Sequence, residues 1–193
     1  MILFANILTW ILHPVVLTIP AVFLLTYYST GSTQTSYYWT FISLIFSGLV
    51  AAFVLIGVKK GFFNNIDVSN RRQRVILYPF VISVVLLFAF FIYSQGGPVN
   101  LTMGAILFVV ALIILDMINR KIKASIHVAS VCAIITGVIY LYGGVTYLLL
   151  LLIPLVAWAR IVKKRHTPQE TIVGAVCGIL LTVIAVNIVQ FIR

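Results

Sequence analysis

The sequence predicts an all-α, polytopic transmembrane helical bundle of six to seven spans, forming a single integral-membrane domain over residues 1–193. Three observations predict it. Apolar residues make up 63% of the chain and charged residues only 8%, for a mean hydropathy of +1.20. Soluble domains run at about 45–50% and about 25%. Apolar runs recur at roughly the 17–25 residues a helix needs to cross a bilayer. The 13 lysines and arginines are gathered almost entirely into three of the breaks between those runs. A chain this poor in charge would not stay dissolved in water, so a secreted disulfide scaffold, a disordered tail and a free cytosolic enzyme are excluded. The lipid bilayer is its solvent.

Residues 1–12 are apolar but end at His13-Pro14. Proline suits the first turn of a helix and breaks the interior of one, so 1–12 reads as a lead-in or interfacial helix, with a single kinked span over 2–28 as the alternative. The stretch has neither the basic leading region nor the small-residue cleavage site of a signal peptide. Spanning runs follow at 13–29, 38–58, 75–94, 101–118, 126–142, 144–159 and 171–192. Turn-forming residues separate them, as in Ser29-Thr30-Gly31-Ser32-Thr33, Ser94-Gln95-Gly96-Gly97-Pro98 and Tyr142-Gly143-Gly144. Cys132 and Cys177 lie inside apolar runs and read as small core residues with no disulfide or metal role.

The charges orient this scheme. Lys59, Lys60, Arg71, Arg72 and Arg74 follow the second span. Arg120, Lys121 and Lys123 follow the fourth, and Arg160, Lys163, Lys164 and Arg165 the sixth. All three groups follow even-numbered spans and so share one side, with Arg193 the exception; the loops at 30–37, 95–100 and 142–144 carry no charge. The positive-inside rule makes the basic side cytoplasmic, as in an inner-membrane protein of a prokaryotic cell. Three islands between apolar spans do not make the continuous, aromatic-lined groove that nucleic acid requires. They suit lipid headgroups or a phosphate-bearing lipid substrate.

Two histidines on that side point to chemistry. His127 lies just inside the fifth span and His166 just before the seventh, and an ionisable residue at such a depth is a functional candidate. His13 has no partner beside it in sequence and reads as structural. In the loop Arg160-Ile-Val-Lys-Lys-Arg-His166-Thr-Pro-Gln-Glu170, a helix starting near Pro168 lets Glu170 approach His166 from its first turn. A carboxylate on one ring nitrogen leaves the other as a nucleophile. Thr167-Pro-Gln-Glu170 is also a capping box, which alone would explain the glutamate. In Lys121-Ile-Lys123-Ala-Ser125-Ile-His127, Ser125 is a natural N-cap, and a helix N-terminus beside Lys123 makes an anion site. The first loop supplies Lys59 and Lys60 and, after Asp67-Val-Ser69-Asn70, the run Arg71-Arg72-Gln73-Arg74.

These residues resemble a known family. Arg160-x5-His166-x3-Glu170, with Gly174 and Gly178 in the last helix, is similar to the third signature of the type 2 phosphatidic acid phosphatases (the PAP2 group, related to vanadium haloperoxidases), which reads Ser-Arg-x5-His-x3-Asp. Lys123-Ala-Ser125-Ile-His127 resembles the second signature, Pro-Ser-Gly-His, without its proline and glycine. The first, Lys-x6-Arg-Pro, is met loosely, since Lys59 and Lys60 lie too far from Arg74 and no proline follows it directly. The resemblance covers roughly residues 57–180.

What the resemblance implies is a PAP2-like core and metal-independent, cofactor-free hydrolysis of a lipid phosphomonoester or isoprenoid diphosphate. His166 would attack phosphorus to give a phosphohistidine, and Glu170 would orient it where the family uses aspartate. His127 would protonate the leaving alkoxide, while Lys60, Arg74, Lys123, the Ser125 amide and Arg160 hold phosphoryl oxygens. Fixed cations at a water-poor site stabilise charge spreading over those oxygens. A two-metal phosphatase needs clustered carboxylates, and the only acids here, Asp67, Asp116 and Glu170, are scattered. Members of the family usually open their site to the outer face, whereas setting Lys60, Arg74, Lys123 and Arg160 aside still leaves eight basic residues to mark this side as cytoplasmic. Two other classes stay open: a catalytically silent relative that binds or moves anionic lipid, and an unrelated transporter or scaffold. A transporter would show inverted repeats and broken mid-membrane helices, whereas the glycine and proline breaks read here fall at span ends.

Overall fold

The computed structural model describes residues 1–68 and 70–192, except the side chain of Ile192; Ser69 and Arg193, named above, lie outside the described residues. Regular structure among the described residues is entirely helical. In chain order it comprises α1 (Ile2–Ile11), α2 (Pro14–Thr30), α3 (Thr33–Lys59), α4 (Arg71–Ser94), α5 (Val99–Asn119), α6 (Ile126–Tyr142), a 3₁₀ segment (Gly144–Leu151), α7 (Leu152–Val162) and α8 (Pro168–Ile192). Each apolar run read from the sequence corresponds to one of these elements, except 144–159, which covers both the 3₁₀ segment and most of α7.

Among the described residues, five helical stretches are long and apolar enough to cross a membrane: α3, α4, α5, the continuous Gly144–Val162, and α8. A sixth is reached if α1 and α2, bent by 42° at His13, count as one span. These stretches fit an integral membrane protein. α6 is the element that falls short. Its 17 residues reach roughly 25 Å, less than the ~30 Å of a typical hydrocarbon core. Pro20 and Pro79 lie inside α2 and α4 without ending them, so proline is not confined to span ends. Neighbouring groups in a membrane helix can satisfy the carbonyl that each proline leaves free four residues before it.

The chain divides into two compact units, Met1–Leu17 with Ile122–Arg193, and Thr18–Lys121, the division falling inside α2. In the first unit α6 packs along α8 and α1 along α7. Leu12, Val128, Val131, Cys132, Ile135 and Val156 form its apolar core. Gly174 and Gly178, one turn apart on α8, let the helices meet backbone to backbone. A Cβ at 174 would stand 2.6 Å from Ser125 O, and one at 178 would collide with Ala129 O. Membrane helices without a hydrophobic drive to associate use such small residues to gain contact.

In the second unit α4 packs against α5 and α3, around Trp39, Phe88, Ala89, Ile92, Leu101 and Ala105. Ser32 caps α3 by accepting the Thr35 N–H, and Asn70 caps α4 by accepting that of Arg72. A buried polar cluster interrupts the apolar packing near the basic loops. Arg74 donates from Nε to Val68 O at 3.1 Å and from Nη1 to Asn119 Oδ1 at 2.8 Å. Asn119 Nδ2 in turn donates to Tyr78 Oη at 2.7 Å and to Leu115 O at 3.0 Å.

Candidate functional site

The candidate site is built at the α6 and α8 N-termini of the first unit. α8 begins with the capping box its sequence announces: Glu170 N–H donates to Thr167 Oγ1 (3.3 Å) and Thr167 N–H to Glu170 Oε2 (3.2 Å). The same Oε2 lies 2.8 Å from His166 Nδ1. One oxygen thus makes both the cap bond and the contact with His166. A carboxylate can only accept, so Nδ1 carries the proton, and in the neutral form of the ring the lone pair is on Nε2. The His166 side chain is 1% exposed and that of Glu170 20%.

Three further contacts set this pair beside α6. Ser125 N–H donates to Glu170 O at 3.0 Å, Lys123 Nζ donates to Arg165 O at 2.9 Å, and Gly174 brings its Cα against the Ser125 backbone. Ser125 stands at the N-cap of α6 as expected, but its hydroxyl makes no cap bond. Its Oγ is fully buried and has no hydrogen-bond partner. Leaving a buried hydroxyl unsatisfied costs about 1–3 kcal/mol, a cost that a bound oxyanion would remove. His127, two residues on, is buried at 5% exposure, and Arg160, in the last turn of α7, at 1%.

The loop from Arg160 to His166 turns sharply. Lys164 adopts φ +52°, with Lys164 N–H donating to Ile161 O and Arg165 N–H to Arg160 O. This is a Schellman closure with lysine where glycine is favoured. Such a left-handed residue costs about 1–2 kcal/mol. Lys164 is exposed, so Lys164→Gly is expected to raise stability by up to about 1 kcal/mol, and Lys164→Val to lower it, in denaturant unfolding in detergent.

Of the residues read from the sequence, His166, Glu170, His127, Lys123, Ser125 and Arg160 all belong to the first unit. Lys60 and Arg74 belong to the second. Lys60 is exposed just past α3, and Arg74 is buried in the cluster with Asn119 and Tyr78. One residue the sequence reading set aside lies beside His127. The ring of His13 sits 5.0 Å from that of His127, edge to face. His13 Nδ1 accepts the Val15 N–H at 3.3 Å, so this nitrogen is unprotonated and the neutral ring carries its proton on Nε2. Its only sequence signal was its depth beside the Pro14 break. No family model matches the chain, and no curated protein and no solved structure matches it either.

Proposed function

We propose that this chain is a metal-independent lipid phosphatase that hydrolyses a phosphomonoester or diphosphate of a membrane lipid through a phosphohistidine. The observation that carries the reading is the buried His166 held through Nδ1 by Glu170, beside an unsatisfied Ser125 hydroxyl at a helix N-terminus. Nε2 of His166 attacks phosphorus as the bond to the leaving oxygen breaks, and His127 gives that oxygen its proton. Water, passing a proton back to His127, then attacks the phosphohistidine, releasing inorganic phosphate and restoring both imidazoles. Glu170 stabilises the positive ring that forms in between, and Arg160, Lys123 and the α6 N-terminus hold phosphoryl oxygens. The charge rule puts this loop on the cytoplasmic side of an inner membrane, and the substrate's tail enters from the bilayer.

The test is phosphate release from detergent-solubilised protein offered phosphatidate, phosphatidylglycerol phosphate or polyprenyl diphosphate in EDTA. Turnover is expected to persist in EDTA and to be inhibited by orthovanadate, whose trigonal-bipyramidal form mimics the transferring phosphoryl group. Strict dependence on added Mg²⁺, or indifference to vanadate, would sink the mechanism. Lipid binding without turnover, unchanged by His166→Ala, would instead support the silent-relative reading.

A further inference from the structure

We propose that the second unit carries a headgroup site for an anionic phospholipid, in the arginine-lined cleft between the start of α4 and the end of α5. The cleft has a volume of about 540 Å³, far more than one phosphate ion fills and within the range of ligand pockets. Four guanidiniums, of Arg71, Arg72, Arg74 and Arg120, line it against the single carboxylate of Asp116. That carboxylate is already engaged by Arg120, at 2.9 Å from Nη2 and 3.2 Å from Nε. The lining is therefore strongly cationic.

The placement of those cations sharpens the argument. α4 opens with Arg71, Arg72 and Arg74 and has no acidic residue in its first turn. Cations at the positive end of a helix dipole are unfavourable, and an anion there relieves both the dipole and the arginines. Arg74 does not need to move to take part. It is 2% exposed and fixed by Val68 O and Asn119 Oδ1, whereas Arg71 and Arg72 are exposed.

A lipid, rather than a soluble phosphate, is favoured by Val75 in the lining and by exposed apolar side chains elsewhere on the same two helices. Val75 lines it while 62% exposed. Ile76 beside it, and Ile113 and Met117 on the last turns of α5, are exposed at 56%, 46% and 63%. A soluble anion would leave these side chains unused, whereas acyl chains would cover them. Basic pockets between membrane helices at the polar boundary bind anionic headgroups in this way. The proposal stands whether or not the first unit is a phosphatase.

The test uses the full chain in a neutral detergent, with thermal unfolding as the readout. Short-chain phosphatidylglycerol is expected to raise Tm by about 4 °C or more near saturation, whereas phosphatidylcholine of the same chain length and inorganic phosphate leave it unchanged. Arg72→Gln/Arg120→Gln is expected to weaken the phosphatidylglycerol effect at least about 10-fold in midpoint concentration, since two charge-assisted contacts are lost. Lys163→Gln/Lys164→Gln, outside the cleft, should retain it. Equal stabilisation by phosphatidylcholine, stabilisation by phosphate alone, or an unaltered response of the arginine variant would each overturn the proposal. If the arginine variant does not fold, the wild-type response decides: it must weaken as salt screens the headgroup, and insensitivity to salt would overturn the site.

Discussion

Replacing His166 by alanine is expected to reduce phosphate release at least about 10³-fold, because the nucleophile itself is lost. Glu170→Gln is expected to cost about 10²–10⁴-fold, since an amide can donate to Nδ1 as well as accept and so no longer fixes the proton there. Glu170→Asp, one methylene shorter, should fall between wild type and Glu170→Gln. Glu170 also closes the α8 cap, so loss of fold must be separated from loss of chemistry. Thr167→Ala does this. It removes the capping hydroxyl that accepts the Glu170 N–H at 3.3 Å and leaves the His166–Glu170 contact in place. It should cost about 1 kcal/mol of stability while activity stays within a few fold. If Thr167→Ala is as inactive as His166→Ala, the glutamate acts through the cap and the nucleophile assignment fails.

The second large effect is on stability. A Cβ at Gly178 would collide with the Ala129 carbonyl, and one at Gly174 would stand 2.6 Å from that of Ser125. Backbone cannot step aside as a flexible side chain can, so Gly178→Ala should force α6 and α8 apart. The expected loss is about 2–3 kcal/mol in denaturant unfolding, with phosphate release falling in parallel because the Ser125–Glu170 backbone bond spans the same seam. Gly48, inside α3, is the control. Nothing lies within 4 Å of its would-be Cβ, and Gly48→Ala should raise stability by about 0.5–1 kcal/mol through helix propensity alone. Equal effects at the two glycines would mean that the seam is not close-packed.

The helices were legible because hydrocarbon imposes one requirement along each span, and runs such as 75–94 and 101–118 satisfy it over nearly their whole length. The α8 cap was legible because Thr167, Pro168 and Glu170 lie within four residues of one another. What the sequence hid was of two kinds. Backbone contacts leave no residue signature, so the Lys123 bond to the Arg165 carbonyl and the left-handed Lys164 could not be foreseen. Contacts across long sequence separations are equally silent. His13 meets His127 at 5.0 Å from more than a hundred positions away, and Arg74, read as a phosphate ligand, is tied to Asn119 and Tyr78 in a buried cluster.

The 3₁₀ segment bears on how this chain matches the thickness of its surroundings. Gly144–Val162 has 19 residues, which as pure α-helix would extend about 28 Å, just under a typical hydrocarbon layer of ~30 Å. Because eight of them are wound as 3₁₀, at about 2.0 Å per residue, the stretch reaches about 32 Å. Tighter winding thus lengthens a short segment without adding residues, and rewinding it as α-helix would leave its ends to thin the bilayer locally or draw polar groups inward.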